Sequence, residues 1–154
     1  MSIYTLETKQ KIPANIEQVW DFISSPQNLK YITPEQMGFD IISKNLPEKM
    51  YPGMFISYYV KPILGIKLLW VSEITQLNEL EYFVDEQRIG PYKLWHHLHR
   101  LTIIEGGVLM EDLINYKPPF GFLGSIANTI IIRKKLKGIF DYRKIKIEEK
   151  FGKF

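Results

Sequence analysis

All three histidines of the chain fall in one short stretch, as His96, His97 and His99. Side chains alternate along an extended strand. His97 and His99 therefore share a face with Trp95, Leu101 and Ile103, and His96 points the other way with Leu94 and Leu98. Imidazole can move a proton near neutral pH, orient a ligand or bind a metal. The neighbouring strands decide which partners it meets. Glu105-Gly106-Gly107 is a turn signal. A tight turn that sets residue 104 opposite 107 puts His99 opposite Asp112, His97 opposite Ile114 and Trp95 opposite Tyr116. Opposed side chains sit ~4.5–5.5 Å apart at Cβ, which is contact distance. A second hairpin at Gly90-Pro91 keeps the parity if residue 87 pairs with 93 or 95. Phe83, Asp85 and Gln87 then join the same face.

This set is open to several chemistries. It can form a hydrogen-bonded structural network, since buried His and Asp need partners. It can orient the polar end of an otherwise apolar ligand. It can do general acid–base work, with Asp112 fixing one tautomer of His99 so that the other ring nitrogen moves a proton. Two His and one carboxylate can also form a facial metal triad, but no confirming motif accompanies them, and neither metal nor cofactor is expected. Nucleophilic catalysis finds no support. Cysteine is absent, and Ser43, Ser57, Ser72 and Ser125 lack a nucleophile-elbow context. Gly121-Phe122-Leu123-Gly124 lacks the Lys of a phosphate loop.

The elements that must carry these residues are legible from periodicity. Ile3 to Ile12 alternates as a strand. Asn15 can cap a helix with Ile16, Val19, Trp20 and Ile23 at helical spacing. Pro26-Gln27-Asn28-Leu29 can start a short second helix. From Phe39 the period is two, with strands expected at Phe39 to Lys44, Met54 to Val60, Ile66 to Leu77, Tyr82 to Arg88, Tyr92 to Ile104 and Val108 to Tyr116. Pro118-Pro119 breaks the sheet. Leu123, Ile126, Ile130, Leu136, Phe140, Arg143 and Ile147 then return at spacings of three and four, which predicts one long helix from about Gly121 to about Glu149. A sheet cannot bury its inner face alone. The reading is therefore α+β, a curved antiparallel sheet of about seven strands wrapped around a long C-terminal helix.

The 154 residues, with 45% apolar and 24% charged side chains, suit one globular domain spanning 1–154. Aromatics reach 14%, enough to fill a core or line a cavity. The net charge of +3 comes from the basic segment after residue 132. The rest is acidic, and RNA-recognition signatures are missing, so no nucleic-acid partner is expected. The longest uncharged stretch, Pro118 to Ile132, falls short of the ~20 apolar residues of a membrane span. No basic-then-apolar leader is visible, and the expected location is cytoplasmic. Lys61-Pro62-Ile63-Leu64-Gly65-Ile66 and Phe120-Gly121-Phe122-Leu123 could cover a cavity mouth or touch a membrane transiently.

At residue level the chain resembles the SRPBCC superfamily, which includes START lipid-transfer domains, polyketide cyclases and pollen-allergen-like proteins, and within it small bacterial ligand-binding proteins. Pro13 with Val19-Trp20-Asp21-Phe22, Pro26-Gln27-Asn28-Leu29, Thr33-Pro34, Gly53, Trp70, Gln87 with Gly90-Pro91, Trp95-x-His97-x-His99, Asp112, Tyr116, Phe120-Gly121-x-Leu123-Gly124 and Phe140-x-Tyr142-Arg143 carry the resemblance. It implies the helix-grip fold and a cavity between sheet and helix for a small apolar or amphipathic ligand. The residues expected to line it are Trp70, Asp85, Gln87, Trp95, His97, His99, Asp112, Tyr116, Leu123 and Phe140. The leading expectation is a carrier or sensor. The alternative is an enzyme of cyclase or dehydrase type, with His99 and Asp112 as its candidates.

Overall fold

The computed structural model describes residues 3–62, 65–119 and 131–154. The first strand, β1 (Tyr4–Ile12), leads into helix α1 (Ile16–Ile23). Asn15 and Gln18 form a reciprocal capping box at the start of α1, which satisfies backbone donors that a helix end leaves open. Val19, Trp20, Phe22 and Ile23 are its buried face. The expected second helix is a 3-10 turn, Pro26–Leu29, and another follows at Glu35–Met37.

The rest of the sheet is β2 (Asp40–Ile41), β3 (Phe55–Val60), β4 (Leu68–Asn78), β5 (Tyr82–Ile89), β6 (Leu94–Ile104) and β7 (Gly107–Lys117). All pairings are antiparallel, in the order β1-β7-β6-β5-β4-β3-β2. The strand expected over Phe39 to Lys44 is cut to two residues. The amides of Ile42 and Ser43 both reach the single carbonyl of Ser57, so the regular ladder stops there. Register shifts at Val71/Ser72 and Ile74/Gln76 in β4 bend the sheet where it must curve.

Along β7 every second residue from Val108 to Tyr116 is buried, the alternation of a strand with one face on the core. Helix α2 (Arg133–Phe151) crosses that face, with Leu136, Phe140 and Ile147 buried. The long helix expected from Gly121 has its first part outside the described residues. Ile103, expected on the inner face, is 70% exposed, because it stands at the β6–β7 hairpin end beyond the apolar cover.

Among the described residues, two apolar clusters hold sheet and helices together. One gathers α1, Ile12, Met54, Phe83, Leu101, Met110 and Ile147. The other gathers Ile114, Tyr116, Ile132, Leu136 and Phe140. Between them each element presents a polar residue. On β7, Asp112 separates Met110 from Ile114. On α2, Arg143 separates Phe140 from Ile147.

Candidate functional site

The β6–β7 hairpin pairs Ile104 with Gly107, His99 with Asp112, His97 with Ile114 and Trp95 with Tyr116. Across β5, Asp85 pairs with His97 and Phe83 with His99. Two histidines from the middle strand are thus flanked by one carboxylate on each side. His97 Nε2 lies 2.9 Å and His99 Nδ1 3.0 Å from Asp112 Oδ1. His99 Nε2 lies 2.8 Å and His97 Nδ1 3.3 Å from Asp85 Oδ2. The rings lie 3.6 Å apart at their centroids, with Phe83 stacked on His99 and Phe140 edge-on to His97.

His97, His99 and Asp112 are all buried. Burial pushes the Asp112 carboxyl up, but hydrogen bonds and charge from His97 and His99 outweigh it and hold it well below the usual range. Asp85 is held down in the same way. For His99, burial opposes the charged ring, yet Asp112 and Asp85 together raise its pKa. The Arg143 guanidinium stands 3.6 Å from Asp112 and contributes a further positive charge.

The network forms one end of a cavity of about 150 Å³ between sheet and α2. Trp70, Asp85, Trp95, His97, His99 and Phe140 line it. Asp112 stands behind the histidines and borders a separate polar cleft with Gln10, Lys144 and Arg143. Gln87 is drawn away from the cavity. Its side chain accepts from the Tyr92 amide at 3.1 Å and donates to the Tyr92 carbonyl at 2.7 Å, clamping the β5–β6 connection. Tyr116 is buried in the second apolar cluster, against Tyr4, Tyr92 and Trp95. Leu123 lies outside the described residues, as do Ile63, Leu64 and Phe120 of the two expected mouth segments. Pro62 and Lys135 also line the cavity, and Lys135 Nζ donates to the Pro62 carbonyl at 3.1 Å.

Tyr58, Ser72 and Arg143 line the cavity without having been expected there, whereas Trp70 was. Tyr58, Ser72 and Trp70 form a polar knot in an aromatic wall. Trp70 Nε1 donates to Ser72 Oγ at 3.0 Å, and the Tyr58 hydroxyl lies 3.2 Å from the same oxygen. Arg143 also lines the cavity, and its Nε is buried without a hydrogen-bond partner. Its signal was present in the sequence, as a lone arginine within the apolar stripe of the last helix. Among the described residues, Asp85, His97 and His99 are the group whose donor atoms converge as metal ligands would, all within 4.8 Å of one another.

Comparison of the fold with solved structures decides its type. Protein CV1439 from Chromobacterium violaceum superposes with a TM-score of 0.72 at 13% identity, over 97% of this chain and 99% of its own. TTHA0849 from Thermus thermophilus gives 0.68 at 13% identity, over 96% and 97%. The Bet v 1-like protein Ara h 8.0201 gives 0.60 at 13% identity, over 96% and 99%. This is the helix-grip fold. No protein-family model matches the sequence, and no curated protein does. At these identities the helix-grip likeness speaks for architecture, and the site must be read from its own residues. Among the described residues no helix is long and apolar enough to cross a membrane.

Proposed function

We propose that this chain is a carrier or sensor for a small, mostly apolar ligand with one polar, oxygen-bearing end. The cavity carries the reading. Its walls are mostly aromatic and aliphatic, with a small set of polar side chains among them, Asp85, His97 and His99 in one network, the character of a small-molecule site. Arg143 supports a polar end for the ligand, since its buried Nε is a donor in need of an acceptor. The cyclase or dehydrase reading is less well supported. Both ring nitrogens of His99 already face carboxylate oxygens, so neither is free to take a proton from a substrate.

Native mass spectrometry of freshly purified protein tests the proposal by seeking a co-purifying molecule. Titration with anilinonaphthalenesulfonate adds a second readout, because Trp70 and Trp95 on the cavity wall report occupation through their fluorescence. The expected result is a bound small molecule, or probe binding that Phe140→Trp blocks by filling the cavity. Empty protein whose tryptophan emission ignores the probe would overturn the reading.

A further inference from the structure

As long as both rings are neutral, the His–Asp network is short of hydrogen atoms. Four nitrogen–oxygen contacts of 2.8 to 3.3 Å join His97 and His99 to Asp85 and Asp112. A neutral imidazole carries one N–H and one lone pair. With both rings neutral, any placement of the two hydrogens leaves two contacts in which a nitrogen lone pair faces a carboxylate oxygen. Two buried carboxylates add to the same demand for positive charge, and Arg143 reaches only the Asp112 side.

We infer that His97 Nδ1, His99 Nε2 and the Asp85 carboxylate form a binding site for a divalent transition metal of the zinc class, with Asp112 orienting both imidazoles from behind. The donor set is the first support. Two imidazoles and a carboxylate suit zinc, and no thiolate is needed. Spacing is the second. Ligands about 2.1 Å from one ion, at tetrahedral or octahedral angles, stand about 3.0–3.4 Å from one another. Asp85 Oδ2 is 2.8 Å from His99 Nε2 and 3.3 Å from His97 Nδ1, and all three donor atoms lie within 4.8 Å of one another, so rotation of the carboxylate and the two rings draws them onto one ion.

The far side of the rings is the third support. A metal-binding histidine presents a lone pair to the ion and donates its other N–H to a carboxylate or carbonyl. Asp112 Oδ1 is hydrogen-bonded to His97 Nε2 at 2.9 Å and lies 3.0 Å from His99 Nδ1, within reach of both remaining nitrogens. Two neutral rings can then each turn a lone pair to the ion and an N–H towards Asp112, which removes the lone-pair conflict. Placement is the fourth. Asp85, His97 and His99 line the cavity and Asp112 does not, so the remaining coordination positions open towards the cavity. This site does not depend on what else the cavity holds.

The test uses the full chain, stripped with a chelator and dialysed against Zn2+, and separately charged with Co2+ for its visible spectrum. One Zn2+ per chain is expected, with a Co2+ spectrum of mixed nitrogen and oxygen ligation. Asp85→Asn and His99→Gln should abolish both, and Asp112→Asn should weaken Zn2+ by ~10–100-fold. His96→Ala, on the opposite face of β6, should leave binding unchanged. Wild-type protein that holds no Zn2+ overturns the inference without recourse to any variant. So does Zn2+ binding that survives His99→Gln or vanishes with His96→Ala, since either places the ion elsewhere.

Discussion

Asp112 Oδ1 lies 2.9 Å from His97 Nε2 on the neighbouring strand, and both side chains are almost fully enclosed. The carboxylate is thus the floor of the polar network. Replacing it by Asn keeps the shape and removes the charge.

Asp112→Asn should cost about 3 kcal/mol, the range seen when one partner of a buried ion pair is lost. In chelator-treated protein, His99 should titrate lower than in the wild type, because Asp112 is one of the two groups that raise it. The sign follows from linkage. A raised imidazole stabilises the fold fully below its unfolded value of ~6.5, and that contribution is lost as pH rises through the folded value. NMR titration of the His99 ring together with urea unfolding measures both. An unmoved His99 would mean that Asp112 does not act on it.

Alkaline stability should fall for a separate reason. Burial pushes the Tyr58 and Tyr92 phenols above their ordinary range, helped at Tyr58 by the charge of Asp85 and at Tyr92 by Tyr116. A folded pKa above the unfolded one gives a contribution that is complete below ~10 and lost as pH rises beyond it. Tyrosinate absorbance should therefore stay incomplete until the protein unfolds. Full ionisation near pH ~10 with near-ultraviolet dichroism intact would contradict this.

Ser72→Ala should destabilise by ~1–3 kcal/mol, out of proportion to one hydroxyl. Trp70 Nε1 would lose its acceptor inside the wall, and Tyr58 would lose its partner. Chemical denaturation reads the loss, and a blue-shifted tryptophan emission should accompany it.

Two glycines should respond in opposite directions. Gly138 sits inside α2 with nothing within 4 Å of an added Cβ, so Gly138→Ala should gain about 1 kcal/mol of stability. Gly107 opens β7, where a Cβ would stand 2.0 Å from the Ile12 carbonyl oxygen. Gly107→Ala must push β1 away from β7 and should cost ~3 kcal/mol or more. Paired melting curves check both.

What could be read from the residues depended on how local the deciding interaction was. The β6–β7 register follows from one turn and the period of two, and so the facing of His99 and Asp112 was legible. The cap at Asn15 was legible for the same reason, though the return bond to Gln18 was not read. The second contact of each carboxylate was not, because imidazole orientation depends on Phe83 and Phe140 packing from other elements. Gln87 shares the parity of Asp85, yet its long side chain turns back to Tyr92, and parity says nothing about that turn. Phe39 to Lys44 alternates like a strand, but Ile42 and Ser43 converge on one carbonyl, a tertiary choice that no local pattern records.

The pairing of Tyr4 with Tyr116 and of Ile12 with Val108 zips the first strand of the chain to the last. On the ribosome β1 emerges first and finds no partner until β7 has left the exit tunnel. The nascent chain can form the hairpins of β4, β5, β6 and β7 from neighbouring segments, but its inner face stays open until α2 has followed them. Closure of such distant segments is slow, in the range of milliseconds to seconds for sheets of this kind. Every group of the His–Asp network lies on β5, β6 or β7, so its hairpins can form before β1 docks and seals the sheet edge.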